Sequence, residues 1–544
     1  VPTPFDNYTY DDARSLFSQV PSLPGLAGQT LSQGSTPRRP TSAVAARAYF
    51  NADHWQNGAG FNGQLPPVSY PGASQIEADI KKRFESENVI KEVVETHIGG
   101  LLGREPLWSF LKEQGTAGKK KEKDDITGET LTPWWNEREA LNDLQDAAET
   151  VLLEGIAVKR VFFPKGLLPD SGVLTASNLN KALDYIFFQT LTADKAGVFT
   201  DPDTQKKIGV FLFEEKDAEG NVVDSCAELS FLDDEGDTVC RVVKDKGADE
   251  DFGPYKLGGR LLVFEMQRSP LITEQVQSNQ KALNLAHTMM TRNVNMAGSR
   301  ERSVTNAQPP RRPTRVQSST NSNQTVETVP GTYETGAGAV MFLMGYPIRN
   351  EKGDIVGYTN PGVNVTDPAS VEVFVNTIDL KRTAIYSQCH QRFVLMSGDA
   401  TASGVSRKTA EKAWQRSLKE TKTVVDAAGR WELEVTLRLA AQVVGQSDKY
   451  LNLRADFNCL LDVGEPTAEE ITTVMEMRKP GGPNNQPLIS DETARNKVGI
   501  DDAAAELKRI EEEAPTPEEI KSQPPVTDLT GQESQEEPQK EVIQ

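Results

Sequence analysis

Four cysteines and four histidines are the residues of this chain best suited to nucleophilic, acid–base or metal chemistry, and their spacing favours none of these. Cys226, Cys240, Cys389 and Cys459 lie far apart with no CxxC pair. They read as reduced structural thiols, not as ligands of a zinc site. His54, His97, His287 and His390 have no partner at a telling sequence distance, so a packed or solvated imidazole is the default for each. The patterns GxxxxGK[ST], HExxH, GxSxG and a strand–GxGxxG–helix are absent. No catalytic residue, metal ligand or cofactor is assigned, although an active site assembled from distant segments would leave no such trace.

Two acidic turns, DAEGN at 217–221 and DDEGD at 233–237, superficially suggest calcium. They lack the alternating oxygen ligands and closing Glu of an EF-hand loop, and read as hairpin turns. The basic residues concentrate in one place. Arg300, Arg302, Arg311, Arg312 and Arg315 stand against Glu301 alone, in a chain whose formal charge is -20. Pro309, Pro310 and Pro313 put these arginines on extended backbone. Either they solubilise a loop or they contact phosphate or an acidic partner.

The elements that would position such groups follow from composition and period. At 544 residues, 37% hydrophobic, the chain has room for several domains or one large architecture. Its acidity argues against gripping nucleic acid by bulk attraction, because that requires cations to displace counterions. It does not argue against letting DNA slide past. No run approaches the roughly 18 apolar residues of a membrane span, and the start VPTPFDNYTYDDARSLF carries no signal-like apolar region.

Residues 1–41 are rich in Pro, Ser, Gly and Gln and read as an arm, ordered only where a neighbouring subunit holds it. Apolar spacing predicts two helices in Ser74–Leu102, broken near Asn88. KKKEK at 119–123 reads as a solvated loop. An amphipathic helix then ends near Gly155 and runs into a strand, Ala157–Phe163. The period changes at 208–243 to three β-rich runs, an antiparallel meander. Ser269–Gly298, opened by Ser-Pro, is a helix with a narrow apolar face flanked by Gln275, Gln277, Asn279, Gln280 and Asn284. Residues 299–367 are irregular and then β-like, with a turn at NEKGD. A second rod runs from Asp367-Pro368 to Met396, and a third from about Lys408 to Val444, with Gly429 as its only interruption. Between them lies SGDATASGVS, almost wholly small residues. After Gly481-Gly482-Pro483 come two short helical patterns and an acidic tail, 513–544.

This order of helix, β module, long helix, small-residue loop and longer helix resembles the portal proteins of tailed bacteriophages, the head-to-tail connectors. ENVIKEVVETHIGGLLGREPLW, LQDAAETVLLEGIAVKRVFFP and LISDETARNKVGIDDAAAELKRIEEE are similar to portal segments in the same order. The resemblance covers roughly residues 45–512. It implies an elongated α+β subunit with a wing (42–268), stem helices (269–298 and 368–396), a clip (299–367), a spine helix (407–445) and C-terminal wing or crown helices (446–512). The tunnel loop would be 397–406, with Ser397, Gly398, Asp399, Ala400, Thr401, Ala402, Ser403 and Gly404 facing the channel. The five clip arginines would contact a partner or DNA.

The implied function is that of a ring, twelve subunits in this family, at one capsid vertex. It would be a conduit for double-stranded DNA in packaging and ejection, in a virion assembled in the host cytoplasm. The implied partners are the terminase motor, neck adaptor proteins and the major capsid protein, with no membrane. A nucleic-acid-processing enzyme or another head-completion component are the alternatives.

Overall fold

A computed structural model describes residues 5, 7–17, 38–54, 84–112, 123–124, 130–163, 175–201, 204–217, 219–297, 302–308, 311–317, 324–330, 343–365, 369–396, 404–461 and 468–479. Helices and antiparallel sheets are mixed along the chain, an α+β architecture. The chain divides into a unit of residues 1–463 and a unit of residues 464–544.

The first unit opens with α1 (Tyr10–Leu16), α2 (Thr41–Phe50) and α3 (Val89–Leu102). Asn88, the expected break, is the N-cap of α3, its side chain accepting the Lys91 amide at 3.1 Å. Strand β1 (Leu107–Lys112) pairs with the short β2 (Lys123–Asp124), which contains the last lysine of KKKEK. Next come α4 (Thr132–Glu137) and α5 (Ala140–Glu154). Helix α5 stops at Gly155, whose φ of 86° provides the left-handed cap that a residue with a Cβ adopts only at a cost. The chain passes directly into β3 (Ile156–Phe162), as the sequence predicts.

After α6 (Leu179–Leu183), strand β4 (Phe187–Thr192) pairs with β3. The meander then has five strands in sequential order: β5 (Ala196–Thr200), β6 (Lys207–Lys216), β7 (Val222–Leu232), β8 (Thr238–Lys244) and β9 (Glu250–Tyr255). Both acidic loops are hairpin turns of one design. The Oδ1 atoms of Asp217 and Asp233 each accept two amides of their own turn, and Gly220 and Gly236 take positive φ. NEKGD repeats the design with Asn350 as acceptor and Gly353 at φ 87°. The carboxylates thus serve backbone groups.

The expected arm is only partly an arm. Residues 18–37 lie outside the described residues, but Phe5, Ala13 and Phe17 are buried against the meander of their own chain. Composition hid this, because few aromatic residues dispersed among polar ones suffice once a sheet face receives them.

Strand β10 (Val263–Gln267) completes the β10–β3–β4 sheet. Helix α7 (Glu274–Ala297) starts later than Ser269-Pro270 predicts. Leu271 and Ile272 are buried, the Leu152 carbonyl accepts the Leu271 amide, and Thr273 receives the first amides of the helix. Three two-stranded sheets follow: β11 (Arg302–Thr305) with β16 (Gly362–Val365), β12 (Arg311–Gln317) with β13 (Gln324–Pro330), and β14 (Pro347–Arg349) with β15 (Ile355–Tyr358).

The second rod is not continuous. Helix α8 (Val371–Gln388) begins at the Ser370 cap and ends in a turn, and the short α9 (Arg392–Met396) follows. His390 takes φ 61°, and the Gln391 amide reaches back to the Tyr386 carbonyl at 2.8 Å. This is the hydrogen-bond pattern with which glycine usually closes helices, so a sequence without glycine concealed it.

Helix α10 (Gly404–Val443) has 40 residues, about 60 Å at 1.5 Å per residue. It passes through Gly429 unbroken, because Phe457 of β17 (Leu453–Asn458) lies where a side chain would be. From Trp431 to Ala441 every residue is buried. Glu432, Glu434 and Arg438 therefore need partners inside the protein. Strand β17 pairs with β1, and the main core gathers α4, α5, α6, β1, β3, β10, β17 and α10. In the second unit, α11 (Ala468–Arg478) is described; the helical patterns expected after residue 483 and the acidic tail lie outside the described residues.

Candidate functional site

Helices α7 and α8 leave and re-enter the body of the chain on either side of the β11–β16 insertion, and polar ties hold them side by side. At one end Asn293 clamps Ala369, donating to its carbonyl at 2.7 Å and accepting its amide at 3.1 Å. Arg382 of α8 grips Glu87 at 2.8 Å, and His287 of α7 meets the same carboxylate at 3.1 Å. At the other end Asn279 bonds Gln388. Glu87 is held below the usual carboxylate range: burial opposes this, and the hydrogen bonds of Arg382 and His287 overcome it.

The narrow apolar face of α7 has an intramolecular explanation that the sequence did not supply. Gln277, Asn279, Gln280, Asn284 and Thr288 are buried within the same chain. Gln280 receives the Ile90 amide and donates to the Glu87 carbonyl and to Asn284. Thr288 receives the Glu85 amide at 3.1 Å, and Asn284 meets His54 at 2.6 Å. These side chains satisfy backbone groups of Glu85, Glu87 and Ile90, the first two in a stretch, residues 84–88, that belongs to no helix or strand.

The surface left uncovered is apolar and lies elsewhere. Val371, Val373, Val375 and Leu380 are exposed on α8, and Tyr346, Ile348, Val356 and Tyr358 are exposed on or beside β14–β15. Residues 346 and 348 share one face of the hairpin, while Tyr358, opposite Pro347, belongs to the other. Both faces of a two-stranded sheet are thus apolar and open, an arrangement marginal in isolation.

Among the described residues, those nominated by the sequence fall on separate elements. Ser397, Gly398, Asp399, Ala400, Thr401, Ala402 and Ser403 lie outside the described residues, as does Arg300. Gly404 is the first residue of α10, so the helix extends into the expected loop. Arg302 starts β11, whereas Arg311, Arg312 and Arg315 lie on β12, opposite Pro330, Val329 and Val326. The four described arginines are thus on strands, in two separate sheets. A cavity of about 540 Å³ is lined by Ser387, His390, Arg392, Met396, Thr409, Ala410 and Ala413.

All four cysteines are buried free thiols. Burial pushes each thiol up, Cys389 to about 12, which makes them poor nucleophiles. His97 is buried, bonded to Thr421 at 2.8 Å, and pushed down to about 3, first by burial and then by Arg268. Among the described residues no group of three or more His, Cys, Asp or Glu is arranged to hold a metal, and no helix is long and apolar enough to cross a membrane.

The charged residues that matter most to the interior escaped the sequence. Lys159 is wholly buried between Glu432, at 2.6 Å, and Asp143. Glu434 receives Arg260 and the Ala455 amide, and Arg438 donates to the Leu257 and Leu453 carbonyls. Their one sequence signal is the run WELEVTLRLAA, too apolar to leave its charges on an open face. Comparison with known proteins adds no assignment: no family model matches the chain, and no curated protein matches it.

Proposed function

We propose that the chain is a subunit of a portal ring at one vertex of a tailed-phage capsid. In this reading α7 and α8 are the stem, residues 299–367 the clip, residues 397–403 the tunnel loop and α10 the spine. The ring passes double-stranded DNA and docks the terminase, the neck adaptors and the major capsid protein. The observation that carries the reading is the uncovered apolar surface on α8 and the β14–β15 hairpin. A subunit that closes a heterologous ring buries such faces against its neighbours. Acidity fits a channel from which phosphates are not gripped, since each cation bound to DNA adds attraction that movement must break.

Negative-stain electron microscopy of the purified chain tests this directly. Rings with a central channel are expected. Compact monomers at micromolar concentration, in both low and physiological salt, overturn it.

A further inference from the structure

The five-stranded meander has two apolar faces, and one is covered in an unusual way. Val198 and Phe211 belong to the cluster with β3 and β10. On the other face, Phe199, Ile208, Val210, Leu229, Phe231 and Val243 form a separate cluster. Among the described residues, its only members from outside the sheet belong to residues 5–17. Phe5 packs 5.7 Å from Phe231, and Phe17 meets Phe199 edge-on at 5.0 Å. Without this segment the sheet would expose a broad aromatic and aliphatic surface.

The covering helix carries its own N-terminal cap. Thr9 and Asp12 form a reciprocal cap, with the Asp12 amide donating to Thr9 Oγ1 at 3.2 Å and the Thr9 amide donating to Asp12 Oδ2 at 3.0 Å. Its start therefore needs nothing from the sheet, only its apolar side does.

The length of chain that joins this segment to the rest far exceeds the gap. Residues 18–37 contain no charged side chain. Both their ends are anchored at one ring: Phe17 lies 5.0 Å from Phe199, and the Arg38 guanidinium sits 4.3 Å above it, held by Glu265 at 2.5 Å. Twenty residues reach about 70 Å when extended, whereas a turn of a few residues would join two points on one ring. Chain length adds little to the entropic cost of closure, so docking in cis is permitted in an isolated chain. In an oligomer the same linker places the segment within reach of an identical face on the next copy, at comparable effective concentration.

We propose that residues 5–17 are an exchangeable arm, which in the assembled oligomer docks on the β5–β8 face of a neighbouring copy. The occupant is thus a second copy's arm, making the contacts seen here in cis. The exchange would link subunits without any new interface. It rests on the ring reading only in requiring that copies assemble.

Two full-length chains are coexpressed for the test. One carries p-benzoylphenylalanine in place of Tyr8, which is half-buried 5.3 Å from Phe5. The other keeps Tyr8 and carries Val223→Ile at an exposed position of β7, a mass mark on the tryptic peptide 217–241 that contains Phe231. Oligomers are isolated by size exclusion, irradiated and digested. Exchange predicts that about half of the arm–meander cross-links carry the marked peptide, as random mixing of identical faces requires. Unmarked cross-links alone, in isolated oligomers, overturn the exchange and leave the ring untouched. Marked cross-links in dimers with no ring in micrographs support the exchange and overturn the ring. A chain that never assembles overturns both.

Discussion

Replacing Gly429 by alanine should destabilise the protein, although helix propensity alone predicts the opposite. Gly429 lies within the 40-residue α10, and exchanging an interior glycine for alanine is worth about 1 kcal/mol in favour of a helix. Here the new Cβ would lie 2.7 Å from two carbons of the Phe457 ring and 2.8 Å from a third. The ring has little freedom to withdraw. It packs 5.9 Å from Trp135, its strand pairs with β1, and the Ala455 and Cys459 amides on either side are fixed by Glu434 and Asp426. Overfilling such a site costs about 1–3 kcal/mol, so the clash outweighs the propensity gain and the net loss is about 1 kcal/mol. The readout is the urea midpoint followed by tryptophan fluorescence, with Phe457→Leu and the double variant completing the cycle. The single variant should unfold at lower urea, and the double variant should be more stable than the two single losses sum to. A Gly429→Ala chain with a raised midpoint, or a cycle with no coupling, would refute the packing argument.

Four further outcomes follow from the same geometry. Lys159→Met leaves Glu432 and Asp143 without their shared cation and should cost about 3–5 kcal/mol in urea unfolding, most of it recovered in Lys159→Met/Glu432→Leu. Glu432 is pushed up to about 7 by burial, against the pull of Lys159. Its folded value lies above its unfolded one, so its contribution is complete below the ordinary carboxylate range and lost as pH rises through about 7. The urea midpoint should fall as pH rises from about 4.5 to about 7 and level off above that, and Glu432→Gln should flatten the fall; an unchanged slope in the variant removes Glu432 as its source. Val373→Glu with Leu380→Glu, both on exposed positions of α8, should prevent rings in micrographs while circular dichroism stays unchanged. On the portal proposal, Arg311, Arg312 and Arg315 replaced together by Ala should assemble normally yet impair packaging or motor docking in vitro.

The sequence by itself determined those elements whose signals are local. The Asn88 cap, the Gly155 stop before β3, the meander and its Gly-centred turns follow from period and turn chemistry within a few residues. So does the succession of long helices around a β insertion, on which the portal resemblance rests. Tertiary structure alone decided what each surface faces. The amides of α7 flank a narrow apolar face in the sequence, yet Gln280 accepts the Ile90 amide and donates to the Glu87 carbonyl, some 190 residues earlier in the chain. Glu432 and Arg438 look like ordinary helix charges until α10 is enclosed on every side, and only then must Lys159 and the loop carbonyls meet them. Phe5 and Phe17 lie in a segment of disordered composition and fold because a sheet more than 180 residues away offers them an apolar face. Periodicity reports which side chains share a face; what that face meets depends on contacts distant in sequence, and a single chain's local pattern does not encode them.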